Sequence, residues 1–345
     1  MKRTLAIALT AALTVSAGSA QAQTYSFKVM GQPVATGLIQ KNIEQPFFED
    51  FAARTGIDAT VNYQPLDMTG IKDTEQLRIL KAGLFDIISL RMSQVSRDEP
   101  IILGLDLVGL NPDYDTGRLT VAAFEAEVDK KLQAKFNTKL LGIWPFGPQV
   151  LFCKPEIAKL RDLRGKKVRV YDQNLANFVS SVGGTPVPIG FADVHQSLAR
   201  GVVDCAITGP SSANSAGWPE VTNYMLPVAF QLALNGYGIN LDAWNKMSAE
   251  DQQKLEAGFD VLIEEIWTYS ETLFDDAVRC NVGQDPCKTG KKYDLKLVPI
   301  TDEDRGIIAN AVKDISFPTW AKVCDKVNAG CSSSWKRTVG KQLGM

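Results

Sequence analysis

Arg169 is the residue whose type and setting most directly imply chemistry. It sits in the run Lys167-Val168-Arg169-Val170, a short β-rich stretch with no carboxylate neighbour along it. A guanidinium presents a planar fork of donors that matches a carboxylate. The arginine is therefore expected to meet an acid that arrives from elsewhere, and that acid reads as a ligand. A second arginine, Arg91, follows the apolar run Ile87-Ile88-Ser89-Leu90. It falls just past a strand end, where α/β sheets place ligand groups.

Other reactive groups offer less. His195 is the single histidine, and its neighbours Val194 and Leu198 place it in a helical pattern, where packing or a surface role outweighs catalysis. No G-x-S-x-G, phosphate loop or metal-ligand spacing occurs. One histidine and no C-x-x-C argue against zinc, and no cofactor is expected. The six cysteines are Cys153, Cys205, Cys280, Cys287, Cys324 and Cys331. An even count suits disulfides in an oxidising compartment. Cys280 with Cys287 and Cys324 with Cys331 are close pairs, though crossed pairing stays open. Cys153 and Cys205 lie in strand-like runs, as a bridge or as two buried thiols.

The chain begins Met1-Lys2-Arg3, continues through an apolar run from Leu5 to Val15, and reaches Ala20-Gln21-Ala22. A basic start, a short apolar core and an A-x-A site read as a cleaved export signal over residues 1–22, which predicts a periplasmic protein. The run is too short to span a bilayer, which takes about 20 apolar residues. With 37 basic and 39 acidic residues the net charge is −2, and no block of like charge stands out. Nucleic acid and anionic membrane surfaces are not expected partners.

The elements that must position Arg169 follow an α/β plan. Tyr25 to Met30 and Ala59 to Tyr63 read as strands around a helix opened by Pro46, the start of a parallel sheet. A helix from Asp73 to Ala82 precedes a strand from Leu84 to Leu90. The series Leu80-Lys81-Ala82-Gly83-Leu84-Phe85-Asp86 matches Leu198-Ala199-Arg200-Gly201-Val202-Val203-Asp204 in kind, as two lobes built on one plan would. Lys139 to Gly147 ends in a proline and glycine break, read as the first crossover; the glycine-rich run Leu232 to Asn240 carries the chain back. Residues 23–143 and about 235–260 are assigned to the first lobe. Residues 144–234 and about 261–345, with the C-terminal helices, go to the second. Ser248 with Asp251 opens a helix whose apolar stripe runs from Leu255 to Leu273 and which could reach Arg279, on the order of 45 Å at about 1.5 Å per residue. It is expected to brace both lobes. Shorter helical patterns follow at Asp302 to Lys313 and Trp320 to Val327.

Several runs follow one family in order and spacing: Asp162 to Val170, Gly184-Thr185-Pro186-Val187-Pro188, Asp193 to Leu198, and Gly201-Val202-Val203-Asp204. Gln76 to Asp86, Leu105-Asp106-Leu107 and Asn240 to Leu255 support them. On these the mature chain resembles the periplasmic solute-binding subunits of tripartite ATP-independent periplasmic (TRAP) transporters, of the DctP type. The resemblance implies a two-lobed α/β periplasmic binding protein, type II-like, with a long helix spanning both lobes. It implies an organic carboxylate held by a two-pronged bridge to Arg169, with a second polar contact at Thr208, where the family often has asparagine. Cys205 stands where glycine is common. A further basic contact would fall near Lys154.

Aromatics at strand ends and crossovers should shape the rest of the cleft. Trp144, Phe146, Tyr171, Trp218 and Tyr237 would suit an aromatic or otherwise apolar acid, whereas Gln32, Asn235, Asp67 and Gln173 would suit a sugar acid. The leading expectation is thus a monomeric transport receptor that binds an organic acid and hands it to membrane permease subunits. A periplasmic enzyme acting on an organic acid, or a sensor feeding a signalling partner, are the alternatives.

Overall fold

The structure, a computed structural model, describes residues 24–345. The export signal read at residues 1–22 lies outside the described residues. β1 (Tyr25–Gly31) pairs in parallel with β2 (Ala59–Pro65) and β3 (Ile87–Leu90). After β4 (Thr138–Pro145) the chain leaves to build β5 (Val150–Cys153), β6 (Lys167–Val170), β7 (Thr185–Pro188), β8 (Cys205–Thr208) and β9 (Tyr224–Leu226). It returns as β10 (Leu234–Asn240), and β11 (Lys296–Leu297) is added late.

Two sheets result, ordered β2-β1-β3-β10-β4 and β11-β9-β5-β8-β6-β7. Each has three parallel strands, β2-β1-β3 in one and β7-β6-β8 in the other, followed by an antiparallel strand next to a crossover, β10 or β5. The short sequence match between the halves has a structural cause. Gly83 and Gly201 both take left-handed backbone at φ 67° and 69°. Asp86 then accepts the Lys28 N–H at 2.7 Å on its carboxylate and donates its own N–H to Lys28 O at 2.8 Å. Asp204 makes the same two bonds to Lys167, at 2.7 and 2.8 Å. In each lobe the aspartate thereby sets the register of the first strand against the third.

The long helix runs from Ala249 to Asn281, 33 residues and about 50 Å at about 1.5 Å per residue. Ser248 caps it, accepting the Asp251 N–H on its hydroxyl. Its Leu255, Phe259, Leu262 and Ile266 lie in the first-sheet core, while Phe274 and Val278 pack against a second-lobe cluster, so it spans both lobes. A second long helix, Tyr114–Phe136, covers the first sheet. The sequence reading passed over it because its buried residues, such as Val121, Phe124, Val128 and Leu132, are spaced among charged ones at nearly every turn.

Segments 146–149 and 227–233 form the two crossovers and pair with each other through Gly147 N–H to Leu232 O at 3.0 Å and Gln149 N–H to Gln231 O at 2.8 Å. Gly147 has φ 103°, and a Cβ there would fall 2.4 Å from the Tyr114 hydroxyl, so only glycine fits. The C-terminal helices depart from the expected division. Residues up to Ala311 pack in the second lobe, but Trp320, Cys324, Cys331 and Trp335 lie in the first-sheet core. The reason is the two indoles: Trp320 donates to Pro100 O at 2.8 Å and Trp335 to Gly104 O at 2.7 Å. The chain thus returns to the first lobe a second time.

Disulfides join Cys280 to Cys287, Cys324 to Cys331, and Cys153 to Cys205. The third links facing residues of β5 and β8, one strand away from Arg169. Among the described residues no helix is long and apolar enough to cross a membrane.

Candidate functional site

The carboxyl ends of β1, β3, β6 and β8 face the junction between the sheets, the usual place for ligand groups in such folds. A small, partly enclosed pocket lies there. The first lobe contributes Thr36, Arg91, Ser93 and Gln94; the second contributes Arg169, Tyr171, Phe191, Thr208 and Ser212. The crossovers and strand ends add Phe146, Gln149, Ala233, Leu234 and Asn235. No aspartate or glutamate lines it.

Arg169 is 2% exposed. Its Nε donates to Ile189 O and its Nη1 to Ile207 O, both at 2.9 Å, so the fork is anchored by neutral carbonyls and no protein carboxylate is bonded to it. Three rings surround the guanidinium carbon: Tyr171 at 5.4 Å, Trp218 at 5.7 Å and Phe191 at 6.0 Å. Burial pushes its pKa down to about 10, so it keeps its charge at neutral pH. A buried cation without a bonded counter-ion is costly, and an arriving anion removes that cost. Tyr171 is itself fixed by its hydroxyl, which donates to Gln231 Oε1 at 3.1 Å. Burial raises the Tyr171 pKa well above the ordinary value, so it stays a neutral donor.

Of the residues expected from sequence, the structure brings Arg169, Thr208, Arg91, Phe146, Tyr171 and Asn235 to one pocket. The other expected residues lie off it; Trp144 is fully buried in the first-sheet core. Trp218 is fully buried beneath Arg169 and supports the guanidinium without lining the pocket. Tyr237 is a core residue whose hydroxyl donates to Glu44 at 2.8 Å. Gln32 is buried behind Arg91, accepting its Nη1–H at 3.3 Å. Lys154 is exposed and donates to Ala199 O at 3.4 Å. Asp67 and Gln173 are likewise occupied locally, Asp67 by the Val34 and Ala35 amides and Gln173 by Asn177.

Sequence reading missed Thr36, Ser93, Gln94, Gln149, Phe191 and Ser212. Phe191 follows β7 directly after Gly190, and the end of a parallel strand was the signal that could have found it. The Ser212 hydroxyl donates across the junction to Thr36 O at 3.2 Å, a contact between lobes that spacing does not encode. His195 sits in the helix Val194–Ala199, away from the pocket.

Comparison with known proteins agrees with this arrangement. Residues 36–280 match the DctP family, described as bacterial extracellular solute-binding protein, family 7. A solute-binding protein of Chromohalobacter salexigens is 28% identical over 238 residues, covering 65% of this chain and 68% of that protein. The solved extracytoplasmic solute receptor DctP7 of Bordetella pertussis, which binds pyroglutamic acid, superposes with a TM-score of 0.76 at 18% identity, covering 90% of this chain and 99% of that one. A TRAP periplasmic solute-binding protein of Desulfovibrio salexigens, with bound orotic acid, gives a TM-score of 0.79 at 14% identity, covering 92% and 99%. At such identities the structures speak for the fold alone; the match over residues 36–280 speaks for the family. The chain belongs to the DctP family of extracellular solute-binding proteins, the receptors of TRAP transporters.

Proposed function

Starting from that membership, we propose that the pocket holds a small organic carboxylate, that the two lobes close around it, and that the loaded receptor delivers it to TRAP permease subunits in the membrane. The observation that carries this reading is Arg169: buried, held by two carbonyls, caged by three rings, and facing a pocket with no acidic side chain. Enclosure between lobes removes the water that would screen a guanidinium–carboxylate pair, which strengthens it. Thr208 beside it supplies a hydroxyl at the end of β8. The rings of Phe146, Tyr171 and Phe191 suit a flat or otherwise apolar carbon skeleton, which supports an aromatic or otherwise apolar acid over a sugar acid. The reading includes export to the periplasm, supported by the basic start, short apolar run and A-x-A site within residues 1–22.

A periplasmic enzyme is the weaker reading, because the pocket holds no histidine, cysteine or carboxylate to act as base or nucleophile. A thermal-shift screen of the mature protein against mono- and dicarboxylates, aromatic acids and sugar acids tests the proposal, since a ligand bound to the native state raises its stability. A hit in the acid panel that survives in the wild type and disappears in Arg169→Ala supports it. Hits confined to uncharged or cationic solutes contradict it.

A further inference from the structure

The C-terminal segment carries a charged surface that the ligand pocket does not use. Residues 312–345 hold six cations, Lys313, Lys322, Lys326, Lys336, Arg337 and Lys341, against two acidic side chains, Asp314 and Asp325. The near balance of the whole chain, 37 basic to 39 acidic residues, conceals this local excess. All six cations are exposed. Other surface cations find carboxylates: Arg54 bonds Glu265 at 2.7 Å, Arg118 bonds Glu264 at 2.6 Å and Lys291 bonds Glu220 at 2.8 Å. Among the described residues, none of the six makes an ion pair or a side-chain hydrogen bond.

The fold gathers most of them on one side. The helix Phe317–Val327 turns Trp320 and Cys324 into the first-sheet core. At about 100° per residue, Lys322 and Lys326 fall on the opposite face, one turn apart. The next segments, Cys331–Trp335 and Lys336–Gly340, turn Cys331, Trp335 and Val339 into the same core, which leaves Arg337 and Lys341 outward, again about one turn apart. The two stretches are pinned side by side by the Cys324–Cys331 bridge and by Asp325, which accepts the Ser332 N–H at 2.9 Å. The Trp320 and Trp335 rings meet at 6.0 Å, and Lys336 Nζ lies 5.3 Å over the Phe317 ring. Because both stretches bury their inner faces in one layer, their outer faces form one basic surface. Val323 and Val327, half-exposed, flank its lysines. Like charges one turn apart disfavour a helix, so two such pairs without a bonded carboxylate call for an anion from outside.

We infer that this face is a docking surface for anionic phospholipid headgroups. A protein partner fits it poorly: protein interfaces favour aromatic residues, methionine and arginine and are depleted in lysine. This surface offers five lysines and one arginine, with its tryptophans turned inward. A bilayer surface fits it well. Flexible, unpaired ammonium groups need no fixed geometry when the opposing charge is spread laterally, and the two valines can settle among the headgroups. Each Lys or Arg close to such a surface strengthens attachment by about fivefold, so contact by three or four gives a preference on the order of 100- to 1000-fold over neutral lipid. None of these residues lines the pocket, so the inference is independent of what the pocket holds.

Vesicle co-sedimentation of the mature protein tests it, with pure phosphatidylcholine against phosphatidylcholine containing about 30% phosphatidylglycerol. At about 50 mM salt the anionic vesicles should bind at least about 20-fold more tightly than the neutral ones, and about 300 mM salt should reduce that binding at least about 10-fold. The triple variant Lys322→Glu/Lys326→Glu/Arg337→Glu should lose the preference while still melting cooperatively. The control Lys41→Glu/Arg164→Glu/Arg200→Glu makes the same change in net charge at exposed positions off this face, and should bind within about threefold of wild type. No binding at low salt, equal binding to both vesicle types, an equal loss in the control, or wild-type binding by the folded triple variant would each overturn the inference. So would attachment that ignores phosphatidylglycerol and appears only when permease subunits sit in neutral vesicles, since the face would then be a protein contact.

Discussion

The Asp106 carboxylate accepts the Leu232 N–H at 3.0 Å, and its other oxygen accepts the Leu234 N–H at 3.3 Å. One side chain thus holds both neighbours of Ala233, a pocket residue that lies at a positive φ of 51° in the second crossover. Non-glycine residues visit that region rarely, so the conformation needs outside support. Asp106 supplies it, and Gln231 adds a bridge from the Asp106 backbone to the Asp172 carboxylate.

Asp106→Asn removes one acceptor from a fully buried site and should lower stability by about 2 kcal/mol, read by urea unfolding. Burial raises the Asp106 pKa from 3.8 to about 6. A carboxyl group raised in the folded state contributes stability that is fully present below pH 3.8 and is lost as the pH rises through about 6. The margin of wild type over Asp106→Asn should therefore be larger at pH 4.5 than at pH 7.5, by on the order of 2 kcal/mol. A margin that grows with pH would contradict this.

Asp86→Ala and Asp204→Ala should cost similar amounts, about 1 kcal/mol each, because each removes the same carboxylate-to-amide bond in its own sheet. Hydrogen exchange provides the local check: Lys28 N–H should lose protection in the first variant and Lys167 N–H in the second. Cross-effects between lobes would argue against two separately registered sheets.

Alkylation and mass measurement of the oxidised protein should detect no free thiol, consistent with three bridges. Loop-closure entropy grows with the span tied off, so losing Cys153–Cys205, 52 residues apart, should cost more than losing Cys324–Cys331, 7 apart. The expected difference is on the order of 1–2 kcal/mol, measured on the Cys153→Ala/Cys205→Ala and Cys324→Ala/Cys331→Ala double variants.

Trp335→Phe keeps most of the ring but deletes the indole donor to Gly104 O, leaving a buried carbonyl without that partner. A loss of about 1–2 kcal/mol is expected, with ligand affinity unchanged because the residue lies in the first-sheet core and away from the pocket. An effect on affinity would mean that the C-terminal helices couple to the cleft.

Local pattern made much of this fold legible. The helix–glycine–aspartate series before β3 and β8 is a covalent neighbourhood, so its repetition could be seen in sequence, as could the Ser248 cap and the apolar stripe that follows it. Arg169 was legible because a lone guanidinium in a strand needs an acid that its own strand lacks. What escaped depends on contacts between distant segments. The indoles of Trp320 and Trp335 choose carbonyls more than 200 positions earlier. Whether Trp218 lines the pocket or lies beneath Arg169 depends on which way a ring turns at a strand end. Phe191 and Ser212 entered the site through loops whose paths are set by the opposing lobe. The bridge between Cys153 and Cys205 likewise required knowing that β5 and β8 are neighbours in antiparallel register.

The most direct measurement is the dissociation constant, by titration calorimetry, of the acid giving the largest thermal shift, compared across wild type, Arg169→Lys and Arg169→Ala. A planar fork held by Ile189 O and Ile207 O cannot be reproduced by an ammonium group. The expected result is a loss of at least about 100-fold in both variants, with each still folded and cooperative in melting. Wild-type affinity in folded Arg169→Ala would contradict the account at its centre.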